Sequence, residues 1–202
     1  MHRPSSPGIS TITEESVRTF IALAVPKSAK ELIVQAQQKW IRISRSRVSW
    51  TRPDGIHLTL AFLGDVPTAQ IDGMAQSLGE ITSQHSVIEL CTTQTGAFPN
   101  WNQPRVIWWG VDGGEELLKL QRDATECLRQ LGFELEDRFH PHLTIARIKS
   151  LERGDRLVGA AQTQTFEPVH WTAKDLLLMS SALKPGGAEY KVLAALSFGN
   201  TE

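Results

Sequence analysis

Cysteine, tyrosine and long apolar runs are what this 202-residue sequence has least of. Its two cysteines, Cys91 and Cys127, lie far apart and form neither a C-x-x-C pair nor a disulfide framework, which excludes a disulfide-stapled secreted scaffold. Both read as small core residues. No apolar run approaches the ~20 residues needed to span a bilayer, so no membrane segment is expected. Residues 1–16 carry Pro4, Pro7, Gly8 and several hydroxyl side chains but no apolar h-region, and they read as a flexible tail and not a signal peptide. The expected location is the cytoplasm. An excess of one charge is also missing: the formal net charge of -1 argues against a protein that wraps long nucleic acid by counterion release. A local anionic site stays open. Lys39, Arg42, Arg45, Arg47 and Arg52 interleave with Trp40 and Trp50, a strip read as a solvated helix end and loop in preference to an RNA contact.

What is present is a soluble, globular composition, 41% hydrophobic and 21% charged, in a length that suits one sizeable domain or a two-lobed body. Val17 to Val25 reads as a buried strand ended by Pro26. Ser28 and Glu31 fit a capping box, and Leu32, Ala36, Trp40 and Ile43 give the stripe of a first helix. After a short strand at Val48 to Thr51, Arg52-Pro53-Asp54-Gly55 reads as a turn, with Gly55 placed for a positive φ. Thr68 suits the N-cap of a second helix with Ile71, Met74, Leu78 and Ile81 on one stripe. Strands are expected at Ser86 to Thr93 and Arg105 to Val111. A third helix carries Leu117, Gln121, Ala124, Leu128 and Leu131 and stops at Gly132 as C′ glycine. Leu151 to Gln162 reads as weak helix or loop. Strands at Phe166 to Thr172, Asp175 to Leu183 and Glu189 to Phe198 complete the chain, the last two joined by a hairpin loop from Lys184 to Ala188. The alternation is α+β. A strand, helix, strand-pair order in both halves suggests two lobes related by duplication.

Two short segments carry the chemistry. In His57-Leu58-Thr59-Leu60 and in His142-Leu143-Thr144-Ile145, strand periodicity puts the histidine and threonine on one face and the apolar residues on the other. One imidazole can be neutral while a second is charged near neutral pH, which supplies a general base and a general acid. A phosphodiester held between two such strands would have one histidine on each side of phosphorus, as in-line displacement requires. Thr59 and Thr144 would bind its non-bridging oxygens. A zinc site of His57, His140 and His142 is the competing reading, opposed by Pro141 between two of the ligands and by the absence of an H-E-x-x-H pattern.

With Arg18-Thr19-Phe20-Ile21-Ala22-Leu23, Phe62-Leu63-Gly64, Gly96-Ala97-Phe98-Pro99-Asn100, Pro104-Arg105-Val106-Ile107-Trp108 and Pro185-Gly186-Gly187-Ala188-Glu189-Tyr190 in order around these motifs, the chain resembles the RNA 2′,3′-cyclic phosphodiesterases of the 2H phosphoesterase superfamily, also known for 2′-5′ RNA ligase activity. The resemblance implies two pseudo-symmetric lobes of antiparallel sheet, helices packed outside, and a concave central cleft lined by the His-x-Thr strands. It implies a hydrolase that acts without metal or cofactor on RNA ending in a 2′,3′-cyclic phosphate, tRNA-like or short. The product would be a 2′-phosphomonoester, and ligation would use the same groups in reverse. By that analogy His142 activates water and His57 protonates the leaving 3′ oxygen, although a pseudo-symmetric site also admits the opposite assignment.

Arg147 matches an arginine that follows the second motif in that family. Strict alternation would turn it away from His142 and Thr144, so a bulge after Thr144 or an early strand end is needed to bring it to the site. Phe20 and Phe98 are aromatic candidates for stacking a base, Phe98 fitting a core position better. His140 reads as a residue behind the site, His85 and His170 as surface or strand residues, and at least one of Trp108 and Trp109 as core. The expected state is a monomer. Two other functions stay open: a 2H enzyme for another cyclic phosphate or 2′-5′ linked oligonucleotides, and a non-catalytic protein that binds RNA ends.

Overall fold

The computed structural model describes residues 15–184 and 187–199. Residues 1–14 of the expected tail and residues 185–186 of the expected hairpin loop lie outside the described residues, and Ser16 already belongs to the first strand. The order is β1 (Ser16–Leu23), α1 (Lys27–Ile43), β2 (Arg47–Trp50), β3 (Leu58–Pro67), α2 (Ile71–Thr82), β4 (Ile88–Phe98), β5 (Val106–Asp112), α3 (Gly114–Gln130), β6 (His142–Ser150), α4 (Leu157–Gln162), β7 (His170–Ala173), β8 (Asp175–Lys184) and β9 (Gly187–Ser197). The strands form two antiparallel sheets, one ordered β3-β1-β8-β9 and the other β2-β6-β5-β4-β7.

The lobes are not the two halves of the chain. The four-stranded sheet takes β1 and β3 from the N-terminal part and β8 and β9 from the C-terminus, while β2 crosses into the other sheet. With β2 set aside, β3-β1-β8-β9 and β6-β5-β4-β7 correspond strand for strand, and each His-x-Thr motif heads the first strand of its series. β3 and β6 lie against each other, so the motif strands meet where the sheets meet.

The helices form on apolar stripes, with shifts from expectation. In α1 the buried residues are Ala29, Ile33, Ala36, Gln37 and Trp40, while Ile43 is exposed. The stripe is rotated because a polar residue, Gln37, belongs to it. The expected capping box is not formed: Pro26 is the N-cap, so Ser28 already lies within the helix. Thr68 opens a short 3₁₀ turn, and Gln70 is the N-cap of α2. Gly132 does end α3, with φ of 93°, while the Gly132 and Phe133 N–H groups donate to the carbonyls of Arg129 at 2.9 Å and Leu128 at 3.1 Å. β4 runs on to Phe98, β7 starts only at His170, and the segment expected as weak helix or loop forms a helix over its last six residues.

One continuous core joins both sheets to the helices. It includes Ile21, Leu23 and Leu58 from the smaller sheet, Ile107, Trp109, Leu143 and Ile145 from the larger, and Ile33, Trp40, Leu117 and Leu128 from the helices. A smaller cluster of Phe20, Ala22 and Met179, flanked by Leu177 and Tyr190, covers the opposite face of the four-stranded sheet. Cys91 and Cys127 are half-buried, not core, and His85 is buried, not on the surface, with Nε2 3.0 Å from Asp123 Oδ2. Among the described residues no helix is long and apolar enough to cross a membrane.

Candidate active site

The residue pairs across each sheet fix which side chains share the cleft. In the smaller sheet Thr59 pairs with Ala22 and Phe62 with Phe20, whereas Leu58 and Ala61 pair with Leu23 and Ile21 of the core. Directly opposed residues of antiparallel strands lie on one face. The register skips Leu60, so β3 bulges there, and Phe62 comes to the face of Thr59. In the larger sheet Thr144 pairs with Trp108 and Arg147 with Val106, and the register skips Ile145. The burial of both Ile145 and Ala146 records the same bulge. Arg147 is therefore exposed on the face that carries His142 and Thr144. Its positive charge reaches both His57 and His142.

A buried amide holds this second bulge. The Gln37 side chain, 6% exposed, donates from Nε2 to Ile145 O and to Thr51 O, each at 2.8 Å. Thr51 N–H donates to the same Ile145 carbonyl at 3.1 Å. Gln37 thus ties β6 to the segment that enters the first motif. That segment turns through a 3₁₀ turn at Pro53–Gly55. Gly55 has no positive φ, contrary to expectation. A Cβ there would lie 2.8 Å from the ring of Tyr190, so close approach is what it provides.

His57 sits immediately before β3, packed between aromatic rings. Phe20 stacks on it with centroids 4.7 Å apart and planes 27° apart, and the Tyr190 ring meets it edge-on at 5.2 Å. Its Nδ1 is buried with no hydrogen-bond partner. Burial, with the positive charges of Lys30 and Arg147, lowers its pKa to about 4. Phe20 is 1% exposed and its face is taken by the imidazole, so it is a platform for His57 and not, as expected, a face for a base.

His142 opens β6 in a different setting. Its Nδ1 lies 2.6 Å from His140 O, and since a carbonyl only accepts, Nδ1 carries the hydrogen and Nε2 keeps its lone pair. Burial lowers its pKa, the His140 bond opposes this, and His140 and Arg147 add to the lowering. The ring of Phe98 meets His142 edge-on at 5.1 Å and His140 at 5.3 Å, so Phe98 lines the site and is not a core residue. Of the Trp108-Trp109 pair, Trp109 is the one in the main core, with Nε1 donating to Thr93 O at 2.8 Å. Trp108 lies beside His140 with centroids 4.6 Å apart, its Nε1 buried without a partner, and a Cβ on Gly96 would run into its indole. Among the described residues no three His, Cys, Asp or Glu side chains converge as a metal site.

Lys30 and Gln37 belong to none of the motifs, and Phe62 and Tyr190 enter only through the segments that carry the family resemblance, with no role of their own. Phe62 had a signal: Leu60-Ala61 and Ile145-Ala146 break the alternation at the same step after each threonine, so whatever follows each pair faces the cleft. Phe62 is 57% exposed there, with its centroid 5.7 Å from that of Phe20. It is the counterpart of Arg147.

Known proteins are similar to this chain in sequence and fold. The model of the 2′-5′ RNA ligase superfamily matches residues 26–185. A Thermotoga maritima protein named RNA 2′,3′-cyclic phosphodiesterase is 30% identical over 183 residues, which cover 90% of this chain and 96% of that protein. One of the same name from Archaeoglobus fulgidus is 33% identical over 179 residues, 88% and 98% of the two chains. The crystal structure of TT0787 from Thermus thermophilus superposes with a TM-score of 0.74 at 26% identity, covering 91% of this chain and 100% of that one. Escherichia coli LigT, crystallised with 3′-AMP, shares the fold with a TM-score of 0.72 at 24% identity, over 92% and 100% of the chains. Two His-x-Thr strands meeting at one cleft, a matching family model over most of the chain and relatives aligned nearly end to end agree: the chain belongs to the 2′-5′ RNA ligase superfamily of two-histidine phosphoesterases.

Proposed function

We propose that this protein hydrolyses RNA 2′,3′-cyclic phosphate ends to 2′-phosphomonoesters, with His57, Thr59, His142, Thr144 and Arg147 as its working residues. The observation that carries the reading is that the two motif strands, β3 and β6, lie against each other, with Thr59 on the cleft face of one and Thr144 and Arg147 on that of the other. The names of the Thermotoga and Archaeoglobus relatives support the same substrate.

His142 Nε2, freed as an acceptor by the bond from Nδ1 to His140, takes a proton from water. The water oxygen bonds to phosphorus, the P–O3′ bond breaks in line, and His57 delivers a proton to O3′. Thr59 and Thr144 donate to the non-bridging oxygens, and Arg147 balances the charge that builds on them. His57 starts neutral, and the bound phosphate anion is what favours its protonation. Phe62 offers an exposed ring on the His57 side for the terminal base, whatever its identity. Ligation follows when the 5′-hydroxyl of a second RNA takes the place of water. The reading is of a cytoplasmic monomer acting on tRNA-like or short RNA, and the formal net charge of -1 supports a short RNA end over long nucleic acid.

Acid, base and anion-stabilising charge all come from side chains, so a nucleoside 2′,3′-cyclic phosphate should turn over undiminished in excess chelator. Phosphorus NMR should show a 2′-phosphomonoester. A 3′-phosphate would overturn the choice of leaving oxygen, and loss of turnover with chelator would overturn the metal-free mechanism.

A further inference from the structure

β2 is the strand without a counterpart. In the smaller sheet β3 is the free edge beside His57, but in the larger sheet β2 is added outside β6, so the cleft face continues past the second motif. Ser49 pairs with Arg147 and therefore lies on its face, whereas Trp50 pairs with Ala146 and turns to the core against Trp40. The pairing with β6 shifts between Val48 and Arg47, skipping Lys149, but β2 itself keeps its alternation, so Arg47, two residues before Ser49, shares its exposed side about 7 Å further along the strand. Arg47 and Ser49 are both exposed. The basic strip seen in the sequence thus divides: Trp40 joins the core, Lys39 and Arg42 sit on the exposed side of α1, and Arg47 extends the cleft.

The charge of Arg47 is not spent on a carboxylate. Among the described residues its guanidinium makes no ion pair, and neither does that of Arg147. Asp155 is the acid bonded to the loop that leads into β2. Its Oδ2 accepts from Ser44 Oγ at 3.0 Å, Arg45 N at 2.7 Å, Ser46 N at 2.7 Å and Ser46 Oγ at 2.6 Å, and its Oδ1 from Leu157 N at 2.7 Å. That carboxylate holds the loop, and so the strand, in place.

We propose that Arg47, assisted by the Ser49 hydroxyl, binds the phosphodiester linking the terminal nucleotide to the rest of the RNA, so that the enzyme selects an RNA end over a free nucleoside cyclic phosphate. This rests on the functional reading above and adds a second anion site to it. A free nucleoside 2′,3′-cyclic phosphate has one phosphate, which the histidines and Arg147 engage. A dinucleotide has a second, and β2 supplies a cation and a hydroxyl on the same continuous face. Guanidinium suits a phosphate better than ammonium because its fork can donate two parallel bonds.

The test compares kcat/KM for adenosine 2′,3′-cyclic phosphate and for the dinucleotide ApA ending in a 2′,3′-cyclic phosphate, using wild type, R47Q and R47K. A charge-assisted bond to phosphate corresponds to roughly a tenfold to hundredfold advantage for the dinucleotide in the wild type. That advantage should shrink at high salt as the phosphate contact is screened. R47Q should bring the ratio of the two substrates close to one, mainly through KM, and R47K should restore part of it. A wild type with no preference, or an R47Q ratio equal to the wild-type ratio, would overturn the second anion site alone. No turnover of either substrate by the wild type would overturn the functional reading, and this inference with it.

Discussion

His57 and His142 differ in what they touch, and that difference sets how each handles a proton. His142 has a carbonyl to receive its Nδ1 hydrogen, whereas His57 has aromatic rings around it and an unpaired Nδ1. An imidazolium at position 57 would bury a second N–H with no acceptor, next to the positive charges of Lys30 and Arg147. NMR titration of the free protein should find His57 changing protonation near pH 4, and Lys30→Ala should move it upward, because removing a positive neighbour favours the charged form. An unshifted His57 in that variant would contradict the electrostatic account. Both imidazoles are lowered from 6.5, so kcat/KM, which reports the free enzyme, should peak below pH 6.5. The kcat profile should lie at higher pH, since the bound anion favours imidazolium. Coincident profiles would count against substrate-assisted protonation of His57.

The two bulges decide what each motif strand presents, and only part of this was legible beforehand. The pairing of histidine with threonine followed from strict alternation, whereas Arg147 needed the bulge after Thr144 that its family match called for, and the register skips Ile145 there. Repetition of the break in Leu60-Ala61 and Ile145-Ala146 was the available signal. The role of Gln37 left no signal, since a polar residue on an apolar stripe looks like a gap in the pattern. Its amide is the donor for two carbonyls that a carboxylate would repel. Gln37→Glu should therefore destabilise the protein more than Gln37→Met in urea unfolding. The methionine change should cost about 1–3 kcal/mol for acceptors left short of a donor. Equal stability of Gln37→Glu and wild type would remove Gln37 from the account of the bulge.

At the scale of the whole molecule, the α+β class and the order of elements were readable because helix and strand periods differ, down to the glycine that ends α3. The interleaving of the lobes was not, because nothing local in β2 says which sheet it will join. Stability should carry the mark of the site as well. His57 has a folded pKa of about 4 below its ordinary 6.5, so the unfolded chain binds the extra proton and stability falls as pH drops through that interval. Asp155 loses its contribution at lower pH. Burial raises its pKa, but the bonds from Ser46, Leu157, Arg45 and Ser44 outweigh that and bring it from 3.8 to about 2. His57→Ala should lessen the fall in thermal stability between pH 6.5 and pH 4, and an unchanged slope would show that His57 is not the group responsible. The most direct test of the central claim is the rate of nucleoside 2′,3′-cyclic phosphate hydrolysis by His57→Ala and His142→Ala, each checked for a native fold by circular dichroism. Two histidines acting as acid and base predict a loss of roughly 100- to 10,000-fold in each variant. A folded variant of either kind that kept the wild-type rate would contradict the two-histidine mechanism.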